Sequence, residues 1–569
     1  MHIVVAAGLS ALSYVPRHMV TWLHRKSVVA GKSVHIVLNS ATQKQWVEGS
    51  SMFDVLYVMA EDPDLRSVIL HIQALPIGWA NLQAFRDALQ RIKHAGKSLF
   101  AYIQVGDAKA LFLTSMCDYT YLSQGVELFW SGLGGRHNFY GALLSTYEIK
   151  ADIEAAGEFK SFGESYTRSE ASEANVAQLR ELYQDIQDQY LQALVTDYKL
   201  EIQVLHDLME QSPLDADRLK QHAMITDTLY IDELVDKVKS FTNATSKPLS
   251  FATYARLYRW KEWWNWGDIR EKVAVLHLTG AISENSPDAS GVVAEKVMET
   301  MEMLGLDDSI RAVVLCVNSP GGSATASDRL ARSIKKLKKK KPVVAYFSTV
   351  SASGGYYLSC LADSIVAAPA SITGSIGVVG GKLVLGAALE KHGVHGQTIA
   401  VGPDTDMLDF WTEFTPSQRE RFRGFLWRTY TRFIEIVCEG RTMPIDAVET
   451  AAKGRVWTGK KAVELGLVDQ TGFLRDALEL TANRLSMRVR NIRPVHIRHK
   501  KSVWRQWSSR LFSSVSIFSP LSMQKTMEKM LHKMVFSQIP LLLQHVHKEP
   551  LTPLLLLPFD IDGAVDDDQ

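Results

Sequence analysis

Ser353 stands in the run Ser351-Ala-Ser353-Gly-Gly-Tyr-Tyr357, just past the β-branched stretch Val343 to Phe347 and just before an apolar helical stretch. A serine flanked by small residues at the start of a helix is sterically open, and its own turn offers amide donors to a tetrahedral intermediate. Upstream, Val317-Asn-Ser-Pro-Gly-Gly-Ser323 follows another buried strand, so its glycines fall at a strand-to-helix turn whose N–H groups point outward. Such a turn can hold an oxyanion. Taken singly, each segment also reads as a structural turn.

A serine nucleophile needs a base. The histidines of the same region, His277, His392 and His395, occupy no recognisable triad motif, which leaves a lysine as the other candidate. At its ordinary pKa a lysine is neutral only about one part in two thousand at pH 7, so it serves as a base only after desolvation has lowered that value. From His392 to Ala452 there is no lysine, whereas Gly157-Glu-Phe-Lys160-Ser-Phe162 carries one at the corresponding place of an earlier, similar segment.

That similarity runs through most of the chain. Asp64 to Ile72 aligns with Ser309 to Val317, Ser98 to Ile103 with Val343 to Phe347, and Leu113 to Asp118 with Leu358 to Asp363. Each half alternates short β-branched runs with amphipathic stretches, the pattern of a sheet with crossover helices, so the fold class is α/β. The alignment sets Ala108 against Ser353, and Ala74-Leu-Pro-Ile-Gly78 against Ser319 to Ser323, so the first half lacks the serine and the second lacks the lysine. One composite site per pair of halves is expected. Thr415-Pro-Ser-Gln418 and Thr167-Arg-Ser-Glu170 both read as helix starts with capping boxes.

The expected organisation is an apolar N-terminal segment over 1–30, a first repeat over 31–245, a Trp-rich linker over 246–271, a second repeat over 272–485 and a basic extension over 486–569. The 63 Lys+Arg against 62 Asp+Glu give a formal charge of +1, so no global field steers the 569-residue chain toward nucleic acid. Cys117, Cys316, Cys360 and Cys438 are widely spaced within apolar runs and read as buried thiols, with no zinc motif. Ile3 to Val15 is too short for a membrane span and reads as an interfacial or core helix. Trp260-Lys-Glu-Trp-Trp-Asn-Trp266 fits aromatic packing or an interfacial anchor. Arg488 to Arg510, with Trp504 and Trp507 interleaved, fits either a membrane-surface helix or a solvated one packed on its own domain. No chemistry attaches to Pro550 to Phe559 or to the acidic end Asp560 to Asp568.

Asn318-Ser-Pro-Gly-Gly322, Ala352-Ser-Gly-Gly-Tyr356, Thr373-Gly-Ser-Ile-Gly377 and Gly454-Arg-Val-Trp-Thr-Gly459, in this order and with the doubled architecture, resemble the signal peptide peptidase A (protease IV) family in its long double-repeat form. The resemblance implies a tandem repeat of two crotonase-like (ClpP/crotonase) α/β domains and a serine endopeptidase with a Ser-Lys dyad. Ser353 matches the nucleophile, Lys160 the general base and Ser375 the hydroxyl that orients the lysine. Gly354, Gly321 and Gly322 match the oxyanion-hole amides, and no metal or cofactor is implied. The implied substrates are cleaved signal peptides or other unfolded, membrane-associated peptides. The implied setting is a homo-oligomer at the bacterial inner membrane with its active site on the periplasmic side. Val378, Val379 and Leu383 either accept apolar side chains or belong to the core. The departures are the short apolar N-terminus, the long extension beyond Met487 and the run Phe162 to Tyr166 after the lysine. The rival readings are an acyl-CoA-handling enzyme of the same fold and an inactive peptide-binding scaffold.

Overall fold

The computed structural model describes residues 31–40, 50–242, 247–263, 270–285, 291–498 and 554–555. The chain divides into two compact units: residues 1–134 with 183–269, and residues 135–182 with 270–569. The sequence repeat and the compact units therefore part company over 135–182, which belongs to the first repeat by alignment and to the second unit by packing.

The first unit is built on a six-stranded parallel sheet in the order Asp227–Leu229, Tyr119–Ser123, Ser98–Ile103, Leu65–Ile72, Lys32–Leu38, Leu249–Ser250. Side chains alternate across a strand, and a parallel sheet is covered on both faces, so its strands are apolar nearly throughout. On one face Val68, Leu70, Ile72, Leu99 and Ala101 share a core with Phe85 and Leu89 of the helix Trp79–His94. Ile69, Phe100, Tyr102 and Tyr121 face the other way, against Leu234 and Val238 of the helix Ile231–Thr242.

The second unit repeats this plan. Its main sheet runs Val456–Thr458, Ile372–Gly374, Val343–Ala352, Ile310–Ser319, Glu271–Thr279, Ile492–Ile497, and Ser364–Ala367 also pairs with Val343–Ala352. One face buries Ala274, Leu276, Val313, Leu315, Ala345 and Phe347, and the opposite face packs Val275, Val314 and Tyr346 on Leu474 and Leu478 of the helix Leu474–Arg484. The first strand pair of each unit even shares a register irregularity, at Lys32/Ser33 and at Lys272/Val273. A second sheet in this unit holds, in order, Val292–Val293, Ile282–Ser283, Gly322–Ser323, Leu554–Leu555, Val378–Val384 and Lys150–Ala156.

Some sequence expectations shift. Thr415 does cap the helix Pro416–Arg441, with Gln418 completing the box. Thr167 instead ends the short helix Glu164–Thr167, and the cap of the long helix Glu173–Tyr198 is Ser172, whose hydroxyl accepts the Asn175 N–H at 3.2 Å. Around Arg488 to Arg498 the chain is no amphipathic helix, because Ile492–Ile497 pairs in parallel with Glu271–Thr279 as an edge strand of the main sheet. The sheet of the second unit is thus completed beyond residue 485. The N-terminal segment, Trp264 and Trp266, residues 499–553 and the acidic end lie outside the described residues, and so do the side chains of Trp260 and Trp263.

Candidate active site

The strand Val343–Ala352 runs out into Ser353, which is buried and holds φ 54° and ψ −118°. A left-handed backbone on a residue with a Cβ costs about 1–3 kcal/mol and persists only where its surroundings enforce it. Here the Ser353 N–H donates to the Gly374 carbonyl at 2.8 Å, and the Ser353 carbonyl accepts the Tyr357 N–H at 2.8 Å. The two glycines that follow are dictated by space. A Cβ on Gly355 would stand 2.7 Å from the Ser319 carbonyl oxygen, and one on Gly354 would stand 2.6 Å from Ser327 Oγ. Gly354 opens the helix Gly354–Ser359, so its amide has no carbonyl within the helix to pair with.

Lys160 reaches this serine from the other direction. The strand Lys150–Ala156 pairs antiparallel with Val378–Val384 over seven residues, and Val378 and Val379 are buried there. Asp152 and Glu154 of the lysine strand meet Arg419 of the helix Pro416–Arg441, and Asp152 also accepts the Phe414 N–H at 2.8 Å. Past Ala156 the chain turns at Gly157 (φ 120°), and the Phe159 N–H donates to the Lys453 carbonyl at 2.8 Å. Lys160 Nζ then lies 2.7 Å from Ser353 Oγ, 2.9 Å from Ser375 Oγ and 3.0 Å from the Ser375 carbonyl oxygen. Lys160 is 3% exposed, and burial holds its ammonium well below the usual lysine range.

The segment 453–455 holds both partners of that contact. Gly454 (φ 82°) donates its N–H to the Ile376 carbonyl at 2.7 Å, and the Arg455 carbonyl accepts the Ser375 N–H at 2.7 Å. Lys160 passes so close over Gly454 that a Cβ there would stand 2.5 Å from the Lys160 nitrogen. Ser375 is itself left-handed, at φ 51°. The sequence marks this segment as part of a motif without saying what it does. Its glycine is explained by the close approach of the lysine backbone.

The glycine turn supplies the third wall. Gly321 (φ 111°) donates its N–H to the Ser319 hydroxyl at 3.2 Å, and its carbonyl accepts the Ile282 N–H at 2.8 Å. The Gly321 amide, expected in the oxyanion hole, is therefore engaged within its own turn. Along a strand the N–H and C=O of one residue point to the same side and successive residues alternate. With the Gly321 carbonyl turned to Ile282, the amide of Gly322 faces the opposite side of its strand. A Cβ on Gly322 (φ 150°) would drive into the Ile282 backbone. In the first unit the position aligned with Ser353 is Ala108, the first residue of the helix Ala108–Thr114, whose cap is Asp107 accepting the Ala110 N–H at 2.8 Å. That turn carries no hydroxyl.

An α/β plan of mainly parallel strands built twice, with a serine at a left-handed strand-to-helix turn in one copy, defines a tandem protein of the ClpP/crotonase fold class. The profile of peptidase family S49 matches residues 91–245 and 335–488, more than half of the chain, and the protein belongs to that family. A relative named "Serine protease SPPA, chloroplastic" from Arabidopsis thaliana is 29% identical over 437 residues, 75% of this chain and 64% of its own length. "Protease 4" from Haemophilus influenzae is 26% identical over 461 residues, 77% of this chain and 74% of its own length. Among solved structures, a ClpP1 mutant from Listeria monocytogenes aligns with 36% of this chain and 93% of its own at 15% identity and a TM-score of 0.25.

Proposed function

We propose that the protein is a serine endopeptidase in which Lys160 is the general base for Ser353. The observation that carries this reading is the 2.7 Å contact between a buried lysine amine and the hydroxyl of a serine held at φ 54°. A neutral lysine amine has two N–H donors and one lone pair. The two oxygens of Ser375, at 2.9 and 3.0 Å, accept the donors and leave the lone pair for the Ser353 O–H. In that arrangement Lys160 takes the Ser353 proton, and Ser353 Oγ attacks a peptide carbonyl. The amides of Gly354 and Gly322 stabilise the oxyanion, while Gly321 shapes the turn. The lysine then returns its proton to the leaving amine, and water releases the acyl group.

The names of the relatives support peptides as substrates, and cleaved signal peptides or other unfolded membrane-associated segments are the proposed class. Work at a membrane, with a periplasm-facing site in a bacterial setting, and assembly as a homo-oligomer belong to the same proposal. Among the described residues no helix is long and apolar enough to cross a membrane.

The test is covalent labelling by a fluorophosphonate at pH 8 in the wild type, Ser353→Ala and Lys160→Ala. Labelling is expected in the wild type alone. A folded wild type that stays unlabelled, or a Lys160→Ala variant that labels at the wild-type rate, would sink the dyad.

A further inference from the structure

We infer that Gln178 is the positioning residue for Lys160, and that Glu164 fixes the orientation in which Gln178 works. The inference deepens the peptidase reading and rests on it for the role of the lysine. Lys160 has φ −78° and ψ 65°, the centre of an inverse γ-turn, and the Ser161 N–H closes that turn by donating to the Phe159 carbonyl at 2.9 Å. One hydrogen bond spans it, so the direction of the central side chain depends on what grips the two ends. Gln178 is 1% exposed and grips both: its Nε2 donates to the Phe159 carbonyl at 3.1 Å and to the Ser161 hydroxyl at 3.2 Å. Its Oε1 lies 3.5 Å from the backbone nitrogen of Val456, the first residue of the strand Val456–Thr458. One amide thus ties the turn that carries Lys160 to the chain leaving Gly454, the residue over which the lysine backbone passes.

The direction of that amide is set further out. The Glu164 carboxylate has acceptors alone, and it takes the Ser172 O–H at 2.6 Å, the Ser172 N–H at 3.0 Å and the Asn175 Nδ2 at 3.1 Å. With Nδ2 turned to the carboxylate, the Oδ1 of Asn175 is left for Gln178 and accepts its Nε2 at 3.3 Å. A reversed Gln178 amide would set its oxygen against two oxygens that cannot donate, Asn175 Oδ1 and the Phe159 carbonyl. Asn175 is buried as well, at 5% exposure, so water is no substitute partner for either amide. The first turns of the helix Glu173–Tyr198 therefore carry an oriented relay that starts at a charge and ends on both flanks of the lysine.

The test compares the full wild-type chain with Gln178→Met, which keeps the length of the side chain and loses the amide, and Gln178→Glu, which keeps an oxygen and loses both donors. Released at both ends, the turn lets the lysine shift, and a misplacement of ~1 Å costs about 10²-fold in rate. Both variants are expected to lower kcat on a fluorogenic peptide by roughly 10- to 100-fold with KM within about twofold, and to slow fluorophosphonate labelling by the same factor. The rates are read where circular dichroism shows each variant folded, because a loss of packing alone would lower Tm and leave the kcat of the folded protein unchanged. Glu164→Gln can turn either face to Asn175 and so frees the relay; its kcat is expected to fall by about three- to tenfold. A second arm needs no catalysis. NMR of isotope-labelled lysine side chains in the Ser353→Ala chain, with the Lys160 signal assigned by its loss in Lys160→Met, reports the amine directly. Adding Gln178→Met is expected to shift that signal and to move its titration toward that of the exposed lysines. A wild type that never labels would sink the dyad, while this arm still decides whether Gln178 sets the lysine. A kcat within threefold of wild type in either Gln178 variant, or a Lys160 signal and titration unchanged by Gln178→Met, would overturn the inference.

Discussion

Replacing Gly454 with alanine puts a methyl group where the Lys160 backbone already lies. The added carbon would stand 2.5 Å from the Lys160 nitrogen, 2.7 Å from its Cβ and 2.8 Å from its Cα. Carbon pairs rest at about 3.5–4.0 Å, so relief requires Lys160 to move by roughly 0.7 Å or more. Misplacement of a reacting group by ~1 Å costs about 10²-fold in rate, and that is the expected fall in kcat/KM on a fluorogenic peptide. The left-handed backbone at φ 82° adds a stability cost of about 1–2 kcal/mol, visible as a Tm lower by several degrees. Gly466→Ala separates the two effects. Gly466 has φ 74°, but the nearest atom to its added methyl is Met443 Sδ at 3.6 Å, so this variant loses stability and keeps its rate. A folded Gly454→Ala protein within threefold of wild-type kcat/KM would refute the reasoning that the segment sets the lysine.

Three further outcomes follow from the lysine's burial and its neighbours. Burial lowers the Lys160 pKa in the folded state, so the unfolded chain binds more protons, and wild-type stability falls as pH drops from about 10.5 toward the folded value. Lys160→Met is therefore expected to raise Tm at pH 6, with an advantage that closes as pH approaches about 10.5; an advantage independent of pH would contradict the buried amine. Wild-type kcat/KM should rise with pH as the amine loses its proton. Ser375→Ala removes one of the three oxygens around Lys160 Nζ and leaves the carbonyl at 3.0 Å, so kcat should fall by about 10- to 100-fold without loss of fold. Unchanged kcat in Ser375→Ala would mean the hydroxyl does not orient the amine.

The strands were legible because parallel sheets are buried on both faces and read as β-branched runs. Val343 to Phe347 and Ser364 to Ala367 are strands in the structure, and the duplicated pattern made the second unit a check on the first. Ser353, Lys160 and Ser375 were reached through motifs, yet nothing in spacing alone brings residues 160 and 353 together. Their meeting depends on the antiparallel ladder between Lys150–Ala156 and Val378–Val384, a pairing far apart in sequence. The same cause hid the boundary of the units, because a segment aligned with one repeat packs with the other. Ile492–Ile497 was obscured by Arg493 and the arginines that flank it, because charged side chains are common on edge strands. The engaged Gly321 amide was invisible because the competing acceptor is a local side chain, Ser319.

The 193-residue separation of Lys160 and Ser353 also sets an order of events during synthesis. At about 5–20 residues per second, Lys160 is made some 10–40 s before Ser353, and the clamp around Gly454 comes later still. Through that interval the lysine has no buried pocket to strip its proton, and it behaves as any solvated amine. On the proposed mechanism, Ser353 gains its base only when residues 453–455 close over the Lys160 backbone. On the proposed mechanism, reactivity is expected only once residues 453–455 have joined the fold, so a chain cut short before them should lack it.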